Sequence, residues 1–260
     1  MCLIIVALQQ HPEFPLIVAA NRDEFLIRPT RPAAFWPENP ELLAGRDLQG
    51  GGTWLGMSRQ GRFAAVTNVR EKDRPMHGQR SRGWLTSEFL ANGADAATFA
   101  LDVQQQGEEF AGFNLFLGDG RELWYQSNRG AAPRPLQAGL YGLSNHLLDT
   151  PWPKVAGAKR QLATLLAEDR LTTDNLFELL ADPTLAPDEQ LPDTGVSLEW
   201  ERLLSARFIK APDYGTRCST VVLVDQSGQV RFLERTFDNG SLHFQEVEYS
   251  FILPEGRAWA

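Results

Sequence analysis

Apolar residues in this chain gather in short runs that switch between a period of two and a period near 3.6. Cys2–Leu8 and Pro15–Ala20 are nearly continuous aliphatic runs split by a Pro-containing turn, which predicts a hairpin of buried strands. A Pro-rich segment carrying Pro29, Pro32, Pro37 and Pro40 reads as a loop, and Thr53–Ser58 and Arg62–Asn68 as a second strand pair. Helical spacing follows in Trp84–Leu90 and Ala94–Val103, where Phe99 and Val103 lie four apart. Gly112–Gly118 and Glu122–Gln126 flank Asp119-Gly120, a dipeptide that favours a type I′ hairpin turn.

The second half repeats the theme. Leu140–Leu143 is a short strand, Val155–Ala167 a helix, and Asp174–Ala181 another, with Thr172 or Thr173 as its cap. A polar, Pro-rich stretch, Asp182–Pro192, leads to an amphipathic piece at Leu198–Leu204. Three strands close the pattern, Thr220–Val224, Val230–Thr236 and Leu242–Phe251, with turns at Ser227-Gly228 and Asn239-Gly240. Strands, helices, strands, helices, strands is the order of a layered α+β fold with antiparallel sheets, not of alternating βαβ units. With no long linker, residues 1–260 read as a single domain.

Composition narrows the classes. The 260 residues are 43% hydrophobic and 22% charged, an ordinary globule, and the net charge of −8 disfavours nucleic acid and anionic membranes as partners. Two cysteines cannot form a disulfide scaffold. The apolar start lacks a basic leader, and no run approaches the roughly 18 apolar residues of a membrane span, so the expectation is a cytoplasmic protein. Common sites are missing: there is no phosphate-binding loop, and Gly50-Gly51-Gly52 lacks the dinucleotide spacing. His11, His77, His146 and His243 are scattered with no Cys-x-x-Cys, so no metal is expected, and no cofactor. Gly142-Leu143-Ser144-Asn145-His146 breaks the serine-nucleophile elbow at its last position.

What remains is Cys2. Removal of Met1 would expose an α-amine titrating near roughly 7.7–8.0 beside a thiol near about 8.5, so the residue would carry its own general base. The plainer reading is a small residue opening a buried strand. If the hairpin pairs as expected, Asn21-Arg22-Asp23-Glu24 lies beside Cys2, where a guanidinium favours thiolate and a carboxylate holds the α-ammonium; a loop ion pair or helix cap is the alternative. Arg70, Lys72, Arg74, Arg80 and Arg82 form a basic stretch, read as a solvated loop or as a lid recruiting an anion. Cys218 is expected to face away from Arg217, as a core thiol.

Cys2, Asn21-Arg22-Asp23-Glu24, Gly51-Gly52-Thr53-Trp54-Leu55-Gly56, Thr67-Asn68, Gly112-Phe113-Asn114-Leu115, Tyr141-Gly142-Leu143-Ser144-Asn145 and Tyr214-Gly215-Thr216-Arg217 together resemble the NRDE-motif family, from Met1 to about Phe251. That family's animal member is linked to secretory organisation, mitochondrial lipid metabolism and haem trafficking. More distantly, the same residues are similar to the cysteine class of N-terminal-nucleophile amidohydrolases, such as bile salt hydrolase and penicillin V acylase. This resemblance implies a four-layer αββα sandwich and cleavage of a small-molecule amide or acyl bond. It implies Cys2 as nucleophile, Arg22, Asp23 and Arg217 around it, and Asn68 and Asn145 as oxyanion donors. The acylases space their Arg and Asp three apart, whereas here the two are adjacent. Asn21, Glu24 and Asn114 are expected to contact substrate. Turn chemistry for the asparagines and a surface ion pair for Arg217 are the plainer alternatives. The second functional expectation is a non-enzymatic haem or acyl-lipid binding protein whose pocket is lined by some of the seven tryptophans and fifteen phenylalanines.

Overall fold

The computed structural model describes residues 2–71, 80–238 and 243–259. In chain order the strands are β1 (Cys2–Leu8), β2 (Leu16–Phe25), β3 (Thr30–Trp36), β4 (Asn39–Asp47), β5 (Leu55–Ser58) and β6 (Phe63–Asn68). Helices α1 (Arg82–Ala91) and α2 (Ala96–Gln105) precede β7 (Phe113–Gly118), β8 (Leu123–Ser127), β9 (Arg134–Pro135) and β10 (Gly139–Leu143). Then come α3 (Pro153–Ala167), α4 (Thr173–Leu180) and α5 (Leu198–Ser205), followed by β11 (Tyr214–Val224), β12 (Gln229–Phe237) and β13 (Phe244–Ile252).

Two antiparallel sheets result, ordered β10-β1-β2-β11-β12-β13 and β3-β4-β5-β6-β7-β8-β9. Their inner faces meet in one apolar core. Along β1, Cys2, Ile4, Val6 and Leu8 point into it, while Leu3, Ile5 and Ala7 pack under α3 and α4 in a second cluster. Burial of both faces is why this strand reads as an unbroken apolar run rather than an alternation. Helices α1 and α2 cover the outer face of the second sheet, with Leu85, Phe89, Phe99 and Val103 buried. The layers are therefore helix, sheet, sheet, helix.

Three local expectations fail. The Pro-rich segment is not a loop but the β3–β4 hairpin. Pro32 lies where the β3–β4 register shifts, on an edge strand, and such positions tolerate a missing N–H. The turn at Asp119-Gly120 is not type I′: Gly120 alone has positive φ (+87°), and the Asp119 carboxylate accepts from the N–H groups of Arg121 and Glu122. Cys218 does not face away from Arg217. A bulge between Thr216 and Cys218 breaks the alternation, and both residues border the same cavity. The expected turn at Asn239-Gly240 lies outside the described residues. Thr172 caps α4 as expected, accepting from Asn175 N–H.

Gly52 and Gly83 bring the β4–β5 loop against the start of α1. A Cβ on Gly52 would lie 2.4 Å from the Gly83 carbonyl, which is backbone and cannot swing aside. Gly52→Ala is therefore expected to lower stability in urea unfolding by about 1–3 kcal/mol, the usual cost of overpacking. Gly93→Ala, where a Cβ meets nothing within 4 Å, is expected to leave the midpoint unchanged or slightly raised.

Candidate functional site

Inner-face positions of three neighbouring strands turn from apolar to polar toward one end of the sandwich. Along β2 the series is Leu16, Val18, Ala20, then Arg22 and Glu24; along β11 it is Val224, Val222, then Thr220 and Cys218. On β12, Val230 and Phe232 give way to Glu234 and Thr236. An apolar core closes the middle of the sandwich, and where it stops a cavity of about 420 Å³ opens between the sheets.

Backbone register sets the cavity's inner wall. Cys2 pairs directly with Arg22, and Arg22 with Cys218, so the guanidinium stem sits between two thiols on one face. With strands about 4.8 Å apart, the cysteine backbones are roughly 10 Å apart, beyond disulfide reach; both cysteines are free and buried. Arg22 Nη2 lies 3.5 Å from Asp47 Oδ2 and 3.9 Å from Glu24 Oε2. Arg28 Nε completes a four-residue network, 2.7 Å from the same Asp47 oxygen and 3.8 Å from Glu24. Asp47 also accepts from the N–H groups of Gln49 and Gly50 (3.0 and 2.9 Å). Burial opposes its ionisation, but the Gly50 N–H and Arg28 outweigh it and hold the carboxyl below its ordinary value.

Burial pushes the Cys2 thiol above its ordinary value; Asp23 and Glu24 push the same way, and Arg22 pulls it back. Asp23 alternates to the helix-covered face, where its Oδ1 accepts from Thr216 Oγ1 at 2.7 Å. Burial raises its carboxyl too, opposed by the charge of Lys154. On the far side of Cys218, Glu234 is buried and accepts from Ala33 N–H at 2.7 Å. Burial pushes this carboxyl up as well.

The structure brings Cys2, Arg22, Glu24, Asn68 and Arg217 to the cavity lining, and Asp23 to its border. Arg217 is committed to backbone: its Nη1 donates to the carbonyls of Phe25, Leu26 and Arg28 at 2.9–3.2 Å, clamping the β2–β3 turn. Asn145 is not in the lining. It is fully buried, and its Nδ2 donates to the Asn68 carbonyl at 3.1 Å. Neighbouring Ser144 Oγ donates to the Cys2 carbonyl at 2.9 Å, so this pair fixes the backbone on which the site is built. Asn21 and Asn114 also lie away from the cavity. Asn21 donates to the carbonyls of Leu180 and Arg207 (2.9 and 2.8 Å). Asn114 joins Thr67, His146 and Tyr125. Both amides satisfy buried backbone or side-chain groups, which leaves them no route to a ligand.

The basic stretch divides. Arg70 is buried against Glu201 at 2.6 Å, Arg80 and Arg82 line the cavity, and Lys72 and Arg74 lie outside the described residues. Arg28, Arg31, Arg46, Asp47 and Glu234 line the cavity without any sequence expectation. Aromatic lining is sparse: Trp54 is the one aromatic residue among the described lining. No helix among the described residues is long and apolar enough to cross a membrane. A buried thiol, guanidinium groups and a carboxamide around one cavity can support thiol attack on a carbonyl and can hold an anion.

Comparison with known proteins bears on the fold and the family. The chain is similar to a conjugated bile acid hydrolase from Clostridium perfringens, with a TM-score of 0.53 over 98% of both chains at 8% identity. It is also similar to the Caenorhabditis elegans N-acylethanolamine-hydrolyzing acid amidase ortholog, with a TM-score of 0.50 over 85% of this chain and 92% of that one at 15% identity. At such identities the likeness is one of fold, the αββα sandwich of N-terminal-nucleophile hydrolases. In sequence the chain is 40% identical to the Bos taurus "Transport and Golgi organization protein 2 homolog", over 91% of this chain and 93% of that protein. Residues 1–239 match the family described as "Transport and Golgi organisation 2", and the chain belongs to that family.

Proposed function

We propose that this protein is an N-terminal-nucleophile hydrolase that cleaves a small-molecule amide or related acyl bond with Cys2. The observation that carries the reading is the register placing Cys2 opposite Arg22 on the wall of the inter-sheet cavity. The family's own name describes no chemistry, and the fold neighbours are, by their printed names, a conjugated bile acid hydrolase and an N-acylethanolamine-hydrolyzing acid amidase ortholog.

The thiol needs a base, because its raised pKa keeps it protonated at neutral pH. Removal of Met1 supplies one in the α-amine of Cys2 itself. In the first step the sulfur attacks the carbonyl carbon, the thiol proton passes to the α-amine, and the carbonyl π electrons move onto oxygen. Asn68, whose backbone Asn145 holds, is a cavity-lining carboxamide available to stabilise that oxyanion; a preorganised donor of this kind contributes about 2.7–4 kcal/mol. Collapse expels the amine, which takes the proton from the α-ammonium and leaves a thioester. Water then adds to the thioester, releasing the acid and regenerating the thiol. Asp23, on the helix-covered face of β2, would balance the α-ammonium, since the charge of the chain's amino terminus acts on its carboxyl.

The alternative of a non-enzymatic haem or acyl-lipid carrier finds less support, since the lining holds Trp54 rather than a wall of aromatics and no histidine among the described residues.

Two outcomes are expected. Intact mass of the purified chain should show loss of Met1, and an alkyne-tagged β-lactone should acylate the Cys2 peptide in the mature protein but not in Cys2→Ala. A mature chain that retains Met1, or undiminished labelling of Cys2→Ala, contradicts the reading. The second concerns pH. A thiol whose folded pKa is raised gains thiolate only as pH climbs toward that value, so alkylation of Cys2 by iodoacetamide should rise about tenfold per pH unit through pH 8. A plateau below pH 7 would mean a preformed thiolate and would overturn this activation scheme.

A further inference from the structure

The chain carries eight net negative charges, yet the described residues lining its cavity include seven arginines against four carboxyl groups. Those four do not cancel the arginines evenly. Asp47 and Glu24 are taken up by Arg22 and Arg28. Asp23 turns to the opposite face of the sheet, bonded to Thr216. Glu234 accepts from neutral donors, Ala33 N–H among them, and no guanidinium reaches it among the described residues. Arg46 and Arg80 find Glu38 and Glu109.

Three guanidinium groups form no salt bridge among the described residues, Arg31, Arg82 and Arg217; Glu24 and Glu71 act on Arg82, Glu24 on Arg217 and Arg31 on Glu38 only at longer range. The donors of Arg217 are occupied by carbonyls and the Thr30 hydroxyl. Among the described residues Arg82 makes one hydrogen bond, from Nη1 to the Gly112 carbonyl at 3.0 Å, and it is partly buried. Arg31 is exposed at the β3 edge of the cavity and makes no side-chain hydrogen bond among the described residues. A partly buried guanidinium with no carboxylate in contact is costly, and the planar fork of arginine matches carboxylate and phosphoryl oxygens with two parallel bonds. Arg82 and Cys2 line the same cavity, so an anion bound by Arg82 shares the space onto which the nucleophile opens.

We propose that the substrate carries an oxyanion group, a carboxylate or a phosphoryl, bound by Arg82 and Arg31 while its scissile carbonyl lies at Cys2. The identity of the reacting bond rests on the reading of Cys2 as nucleophile; the anion site does not.

The test compares two alkylating reagents of similar size on the mature protein at fixed ionic strength, with rates read on the Cys2 peptide to exclude Cys218. The ratio of the iodoacetate rate to the iodoacetamide rate should exceed that of glutathione in the same buffer by about tenfold, the low end of electrostatic focusing in a cleft. Arg82→Gln and Arg31→Gln should each lower that ratio at least about threefold, and Arg160→Gln, on the exposed side of α3, should not move it. Protection of Cys2 by inorganic phosphate at lower concentration than by acetate assigns a phosphoryl group, and the reverse order a carboxylate. A ratio no higher than that of glutathione, or one unmoved in both cavity variants, overturns the proposal. Should Cys2 resist both reagents, the nucleophile reading fails on its own, and calorimetry decides the anion site. Saturable heats with pyrophosphate or citrate, lost in Arg82→Gln, support the site; no saturable heat from either overturns it.

Discussion

Everything in this site depends on the pairing of three antiparallel strands. Because Cys2, Arg22 and Cys218 stand directly opposite one another, their side chains must share a face. A slip of one residue would send Arg22 under the helices and bring Asp23 into the cavity. That register is fixed by buried alternation on both faces of β1 and β2, where every second residue belongs to a different apolar cluster. Packing energy thus determines where the thiol is.

The same constraint explains the cavity's polarity. Apolar inner residues hold the two sheets together through most of their length, and the polar ones at one end keep them apart. There, Asp47 and Glu24 neutralise Arg22 and Arg28, and the turn donors of Gln49 and Gly50 stabilise Asp47 in place. The second sheet delivers Asp47 at the end of β4, with Gln49 and Gly50 in the β4–β5 loop, whose Gly52 lies against the backbone at the start of α1. Fold and site are joined at that contact, since Arg82 opens the same helix.

Much of the first wall was legible in the sequence. An apolar hairpin brings its two ends together, so the Arg22/Asp23 end beside Cys2 follows from Cys2–Leu8 and Pro15–Ala20, while the choice of Arg22 over Asp23 comes only with the observed register. The second wall was not legible, because Pro32, Pro37 and Pro40 hide the β3–β4 hairpin that brings Arg31, Arg46 and Asp47. Glu234 did carry a signal: at the alternating positions Val230, Phe232, Glu234 and Thr236, an inward face turns polar. Cys218 could not be oriented from alternation, since a bulge cancels the period and nothing in the local sequence marks it. Asn145 and Asn114 match family motifs, yet their amides are structural, one holding Asn68 and the other Thr67 and His146.

The central claim is that Arg22 and the Cys2 sulfur act on each other within one cavity. An NMR titration of the Cys2 ¹³Cβ resonance in the mature chain and in Arg22→Gln tests it most directly. Since the guanidinium pulls the thiol pKa down, its removal should move the thiol titration to higher pH; superimposable curves for the two proteins would contradict the account.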